Sequence, residues 1–171
     1  MKALNIKEEI SMKKILLIDI DGVLAKFDMA FQRVAPGIFD EGRHAGYKAH
    51  SDAIYNVCTK NPNIFRNLDV TDGAVEMVTK LAQDFEIYFV SSPLWSFPKS
   101  MADKQYWLEK HFGELARKRL VLTHNKALLN GDYLVDDRLS NGVENFAGEH
   151  IYFGTEKFPD WNAVYEYLNK I

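Results

Sequence analysis

At 171 residues, with 47% hydrophobic and 26% charged side chains and a net charge of −3, the chain has the make-up of one ordinary globular domain, with room for an inserted piece. No apolar run approaches the roughly 20 residues of a membrane helix, and no Lys/Arg cluster is dense enough to grip a nucleic-acid backbone, so neither a membrane nor a nucleic-acid polymer is expected as a partner. The single cysteine, Cys58, excludes an intramolecular disulfide or a multi-cysteine metal site and reads as a small hydrophobe on a helix face.

In chain order, residues 1–12 read as an N-terminal extension. They carry charges where a signal peptide needs an apolar core, which makes a cytoplasmic location the expectation. The stretch 13–24, KKILLIDIDGVL, follows. Its short β-branched run from Ile15 to Ile18 predicts a buried strand. Strand side chains alternate faces, so Asp19 and Asp21 should point the same way while Ile20 points back to the core. From Lys26 to about Asn67 the chain changes character. Phe27, Phe31, Phe39, Tyr47, Tyr55 and Phe65 stand among charges with no strand-like run. Met29–Val34 and Tyr47–Thr59 predict short amphipathic helices separated by Pro36-Gly37 and Gly42, and Pro62 closes the segment.

Thr71 is the expected N-cap of a helix with Asp72 in its first turn, apolar on Val75, Val78, Leu81 and Ala82 and ending near Asp84. A second strand at 86–90 runs into Ser91-Ser92-Pro93. A helix at 102–111 carries Tyr106, Trp107 and Leu108 and breaks at Gly113. A third strand near 119–123 runs into Thr123-His124-Asn125-Lys126, and a fourth near 133–136 into Asp136-Asp137. After a polar loop, Ile151-Tyr152-Phe153 is the expected fifth strand. Asn162–Lys170 is the closing helix, with Val164, Tyr167 and Leu168 toward the core. Strands alternating with helices predict an α/β domain with a mostly parallel sheet.

Four apolar runs thus end in a hydroxyl, an ammonium or a carboxylate pair. In open α/β sheets ligands bind outside the carboxyl ends of the strands, so Asp19, Asp21, Ser91, Lys126, Asp136 and Asp137 should converge on one crevice. Taken singly the motifs are weak: D-x-D-G is often a surface turn, Asp136-Asp137-Arg138 could be a solvated turn, and a lone lysine is usually solvent-facing. Their common position at strand ends argues for catalysis. There is no G-x-x-x-x-G-K-[ST] and no G-x-G-x-x-G, so no P-loop or dinucleotide site is signalled. Clustered carboxylates suit a hard cation such as Mg²⁺ that also meets a substrate phosphate. A lysine and a hydroxyl beside it can hold phosphate oxygens. One aspartate can act as nucleophile through an aspartyl-phosphate, and a carboxyl two residues on can protonate the leaving oxygen and then activate water. His44, His50, His111 and His150 show no metal-ligand spacing and read as structural or surface residues.

Asp19-Ile-Asp21-Gly22-Val23, then Ser91, Lys126 and Asp136-Asp137, resembles the four-motif signature of the haloacid dehalogenase (HAD) superfamily. Phe89-Val-Ser-Ser-Pro-Leu94, Lys104-Gln-Tyr-Trp-Leu-Glu-Lys-His111-Phe-Gly113, Leu122-Thr123 with Lys126, and Gly131-Asp132-Tyr-Leu-Val-Asp136-Asp137 resemble the 5'(3')-deoxyribonucleotidase family within it. The resemblance covers about residues 13–155 and is weakest in the insert. It implies a three-layer Rossmann-like HAD fold, with core 13–27 and 68–171 and a small helical cap, 28–67, inserted after strand 1. It implies a Mg²⁺-dependent phosphatase acting on nucleoside monophosphates. Asp19 is then the nucleophile and Asp21 the general acid/base. Asp19, Asp21 (through its backbone carbonyl), Asp136 and Asp137 form the metal site, and Ser91 and Lys126 bind phosphate. Phe27 and Ser92 face the nucleoside. His124 stands where the family often has an arginine and is placed with the substrate contacts. A homodimer is left open. The rival expectations are a HAD phosphatase for another phosphomonoester, such as a sugar phosphate, and a non-catalytic HAD-like binding module.

Overall fold

The computed structural model of the chain describes residues 13–38 and 47–171. The extension 1–12 lies outside the described residues, as do Phe39, Gly42, His44 and the side chains of Tyr47 and His50. Five strands, β1 (Lys14–Asp19), β2 (Phe85–Ser91), β3 (Leu120–Leu122), β4 (Tyr133–Asp136) and β5 (Glu149–Tyr152), form one parallel sheet in the order β3-β2-β1-β4-β5. The α-helices among the described residues are α1 (Phe27–Val34), α2 (Tyr47–Lys60), α3 (Ala74–Leu81), α4 (Lys99–Phe112) and α5 (Trp161–Leu168).

The strands read as continuous apolar runs because both faces of the sheet are covered. Leu16 and Ile18 of β1 enter a large core shared with α3, α4, α5 and the insert. Leu17 enters a smaller one with Val90, Leu134 and Val143. On that second face the covering segments are 3-10 turns, Lys126–Leu128 and Val143–Asn145, so the third layer is thin.

The order of the strands places the site. The chain runs outward from β1 to β2 and β3, then returns to lay β4 on the other side of β1. The crevice at such a switch point opens at the carboxyl ends of the two flanking strands. Ile18 pairs with Val135, which sets Asp19 beside Asp136 one step further along, and Ser91 ends the neighbouring β2.

Several boundaries differ from the sequence expectations. β1 ends at Asp19, and the chain then curls, with Leu24 N and Ala25 N both donating to the Ile20 carbonyl. Strand alternation therefore does not govern Asp21. The cap of α3 is Gly73 rather than Thr71, whose carbonyl instead accepts the Ala74 N–H in a turn at 3.0 Å, and the helix ends at Leu81. α4 begins at Lys99, since Pro98 at its N-cap has no N–H to lose. α5 is capped by the Asp160 carboxylate, which accepts from Ala163 N. β5 is 149–152 and leaves Phe153 outside, although Phe153 is buried.

The insert does not keep a separate core. Phe27 stacks on Phe31 at 4.4 Å, Phe65 lies 6.0 Å from Phe27, and Phe97 of the β2–α4 connection lies 6.4 Å from Phe65. The Trp107 indole donates to the Leu68 carbonyl at 2.8 Å. Buried Trp161 donates to the Val23 carbonyl at 3.1 Å and so ties α5 to the curl that follows Asp19. Trp161→Phe removes that donor and part of the ring volume. It should lower the unfolding free energy by about 2 kcal/mol, read as a lower urea midpoint at unchanged slope.

Candidate active site

Three buried charged groups meet at the switch point. Lys126 Nζ donates to Asp19 Oδ1 at 2.6 Å and also to Asp136 Oδ2, and the three residues are 3%, 6% and 2% exposed. Lys126 reaches them from a short 3-10 turn, not from a strand. Its backbone N–H donates to the Asn141 carbonyl at 2.6 Å, and the turn is capped by Asn125 Oδ1 accepting from Ala127 N. Gly142 passes so close that a Cβ there would sit 2.1 Å from Asn125 Oδ1. Asp136 is held in turn by Arg138 N donating to its Oδ1, and its carbonyl accepts from His150 Nε2 at 3.1 Å, the structural role assigned to His150.

Burial strips hydration from the carboxylates. It pushes Asp19 up to about 7, with Lys126 pulling the other way and Asp136 and Asp21 adding to the rise. It pushes Asp137 up to about 6, against the pull of Arg138. Burial alone would depress Lys126, but Asp19 and Asp136 outweigh it and hold the ammonium charged.

Carboxylate oxygens of Asp19, Asp136 and Asp137 lie within 4.8 Å of one another. Asp137 leans on the curl after β1, where Gly22 takes φ +88° and a Cβ would lie 2.3 Å from Asp137 Oδ2. Within this cluster Asp137 Oδ1 is buried without a hydrogen-bond donor. An all-oxygen donor set with undercompensated negative charge and an orphaned acceptor fits a hard divalent cation. The Asp21 carboxylate is not part of this cluster. It pairs with Lys104 Nζ at 2.5 Å.

A cavity of about 370 Å³ opens above these groups. Of the residues singled out from the sequence, Asp19, Asp21, Phe27, Ser91, Ser92, His124, Lys126 and Asp136 all line it, and Asp137 sits behind the lining. Ser92 Oγ donates to the Thr123 carbonyl at 2.8 Å, so its proton is committed to the neighbouring loop. The insert supplies Ile54 and Phe65 to the wall, with Ser51 and Asp52, beside Phe27 at the end of the preceding core segment.

Lys104, Arg138 and Trp95 were missed from the sequence. Lys104 is 2% exposed and its ammonium stands 5.0 Å from the centre of the Phe65 ring. Its signal was there to be found. Ser100, Lys104, Trp107, Leu108 and His111 share one face of α4, so a lysine interrupts an apolar stripe. One residue earlier, fully buried Asp103 pairs with Lys99 at 2.6 Å and Arg66 at 3.1 Å, tying α4 to the end of the insert.

The ion pairs make a stability prediction. In chelator, Lys126→Met leaves Asp19 and Asp136 buried without their cation and should cost about 3 kcal/mol at pH 7.5. The native Asp19 already holds its proton up to about 7 against 3.8 unfolded. A native state that binds more protons than the unfolded chain loses stability as pH rises through that window. Lys126 pulls Asp19 down, so without it Asp19 is driven up further and the variant's deficit grows above about pH 7; at pH 5, where Asp19 is protonated in both proteins, the deficit should be smaller, measured by urea unfolding at both pH values.

Known proteins resemble the chain in sequence and in fold. The profile of the family described as 5' nucleotidase, deoxy (pyrimidine), cytosolic type C protein matches residues 13–162. A protein of Vibrio phage KVP40 to which 5'(3')-deoxyribonucleotidase activity is ascribed is 38% identical over 156 residues, which are 91% of this chain and 85% of that protein. The human cytosolic-type 5'(3')-deoxyribonucleotidase is 28% identical over 158 residues, 81% of this chain and 78% of that protein. Among solved structures, a HAD hydrolase of Bacillus subtilis bound to magnesium superposes with a TM-score of 0.63 over 92% of this chain and 99% of its own, at 12% identity. A HAD-like hydrolase of Xanthomonas campestris gives 0.59 over 93% and 96%, at 13% identity. These likenesses show a HAD-like α/β fold, and with the profile match over 13–162 the chain belongs to the 5' nucleotidase, deoxy (pyrimidine), cytosolic type C family.

Proposed function

We propose that the protein is a Mg²⁺-dependent phosphatase that hydrolyses nucleoside monophosphates, deoxyribonucleotides in preference, to nucleoside and phosphate. The observation that carries this reading is the convergence of Asp19, Lys126 and Asp136 at the switch point, in a chain of the deoxyribonucleotidase family. Residues 28–67 serve as the cap and 13–27 with 68–171 as the core, with the substrate between them.

Lys126 binds Asp19 through Oδ1, which leaves Oδ2 outside that ion pair. Oδ2 attacks phosphorus, the bond from phosphorus to the nucleoside oxygen breaks, and Asp21 gives that oxygen its proton. Water then attacks the phosphorus of the Asp19 acyl-phosphate. Asp21 takes the proton, phosphate leaves and the carboxylate returns. Lys126 and Ser91 hold phosphate oxygens, and the pairing of Lys104 with Asp21 fixes the carboxylate that moves the proton. Asp19, Asp136 and Asp137 would hold the cation, with the Asp21 carbonyl as a further ligand. When bound, the ion supplies positive charge to the transferring phosphoryl group. Phe27, Ser92 and His124 face the nucleoside side of the cavity.

Asp19→Asn should keep the fold and lose turnover, because an amide cannot form the acyl-phosphate. Activity within a few-fold of wild type would remove Asp19 from this role. Asp21→Asn should fall by about 10²-fold or more. Chelation should abolish activity and Mg²⁺ restore it, while Asp136→Ala and Asp137→Ala should raise the Mg²⁺ concentration for half-activity. Full turnover in excess chelator rules the mechanism out.

The substrate is tested by kcat/KM across thymidine, deoxyuridine, deoxyguanosine and uridine monophosphates and a hexose phosphate. Deoxyribonucleotides should lead, uridine monophosphate should trail by no more than about 10²-fold, since an apolar wall rejects an added hydroxyl only modestly, and the hexose phosphate should come last. A hexose phosphate in first place leaves only a HAD phosphatase of other specificity.

A further inference from the structure

One large aromatic at the cavity is explained neither by the charge cluster nor by the insert. Trp95 lines the cavity and is 79% exposed, whereas Trp107 and Trp161 are 1% and 0% exposed. An exposed indole at a cavity rim is usually a contact surface, because leaving so much apolar area in water has no structural return.

The indole is carried on a brace. Its ring meets the His124 imidazole edge-on, with centroids 5.9 Å apart and planes at 72°. His124 Nε2 donates to the Pro93 carbonyl at 2.8 Å, and Ser92 Oγ donates to the Thr123 carbonyl at 2.8 Å. Two hydrogen bonds thus cross-link the loop after β2 to the loop after β3. The first loop leaves β2 directly after Ser91 and the second leads into Lys126, so Trp95 is tied to both groups that border the charge cluster.

We propose that Trp95, braced by His124, is a specificity-determining residue whose indole face receives the planar base of the nucleotide at the cavity mouth. The inference rests on the nucleotidase reading. Base–aromatic stacking is tolerant of base identity because every base has a π face, so Trp95 selects nucleotides as a class over phosphomonoesters without a ring. His124 acts through Trp95, as a positioning residue.

Trp95 is the exposed tryptophan of the three, so its emission reports the mouth directly. Thymidine, which carries no phosphate to hydrolyse, should quench that emission in the wild-type enzyme and shield it from iodide. The ratio of kcat/KM for thymidine monophosphate to that for glycerol 2-phosphate should fall about tenfold in Trp95→Ala, mainly through KM, the scale of one stacked base. Trp95→Phe should keep the ratio within about threefold. His124→Ala should lower it part of the way, again through KM rather than kcat, and leave Trp95 more open to iodide. A Trp95→Ala ratio equal to wild type overturns the proposal, as does thymidine that neither quenches nor shields Trp95. If wild type prefers nucleotides and Trp95→Ala prefers them equally, this inference alone falls. If wild type prefers a hexose phosphate, the nucleotidase reading falls and this inference falls with it.

Discussion

The site depends on one lysine held between two carboxylates in the floor of the sheet. Taking Lys126, Asp19 and Asp136 out of water is costly for each, and the close ion pairs offset that cost only while all three stay in register. The register comes from the sheet. β4 lies directly beside β1 because the chain reverses its direction of winding there, and the Ile18–Val135 pairing brings the two carboxylates level. The lysine is delivered by a turn whose own geometry is set by Asn125 and by the close approach of Gly142. A fold that moved β4 by one residue would turn one carboxylate into the core. Asp137 adds further negative charge, and Arg138, 3.8 Å away and half exposed, screens it weakly. The cluster is thus built with more negative charge than its own cations balance, which is the condition for holding a divalent ion tightly without much protein rearrangement.

A second lysine does separate work. Lys104 engages Asp21, and nothing else in the floor. The two carboxylates of the D-x-D pair therefore live in different surroundings, one under Lys126 among like charges and one on Lys104 against the Phe65 ring. Chemistry that asks two neighbouring carboxylates for different roles needs such a division, because two carboxylates in identical surroundings could not hold two roles. α4 makes the division possible. Asp103, next to Lys104 on the helix and buried like it, grips Arg66, so the helix that sets Asp21 also anchors the end of the insert.

Much of this was legible in the sequence because strands buried on both faces leave an unmistakable apolar run, and a polar group at the end of such a run has no bland explanation. That logic found Asp19, Ser91, Asp136 and Asp137 and the parallel sheet. It reached Asp21 by the wrong route, since the chain curls after Asp19 and the two carboxylates converge on the cavity through a turn and not through strand alternation. Lys126 sits four residues past the end of β3, where a lysine taken alone reads as solvent-facing and its place in the order of strand-end motifs points to the site. Lys104 carries no signal of its own, because a lysine in a helix is ordinarily solvated and only its neighbours four and seven residues away betray its burial. Trp95 lay in a loop with no periodicity, and exposure at a cavity rim cannot be read from spacing. The cap of α3 was misplaced by two residues because Thr71 satisfies the composition rule while the backbone turn runs on to Gly73.

The solved neighbours at 12–13% identity share the fold, and a shared fold does not choose a substrate. Selection among phosphomonoesters has to come from groups that touch the leaving group rather than the phosphate. Here those groups come from two sources with different physical character. Phe27, Ile54 and Phe65 are buried and belong to the continuous apolar core, so changing them disturbs the attachment of the insert. Trp95 and His124 sit on cross-linked loops at the rim and can vary with little effect on the core. Interactions remote from the reacting phosphorus accelerate turnover only when they orient the phosphoryl group for attack; otherwise they lower KM alone. A base stacked on the braced rim would be held alike before and during phosphoryl transfer, so it falls under the second condition: the rim sets KM, and turnover rests with the groups around the phosphorus.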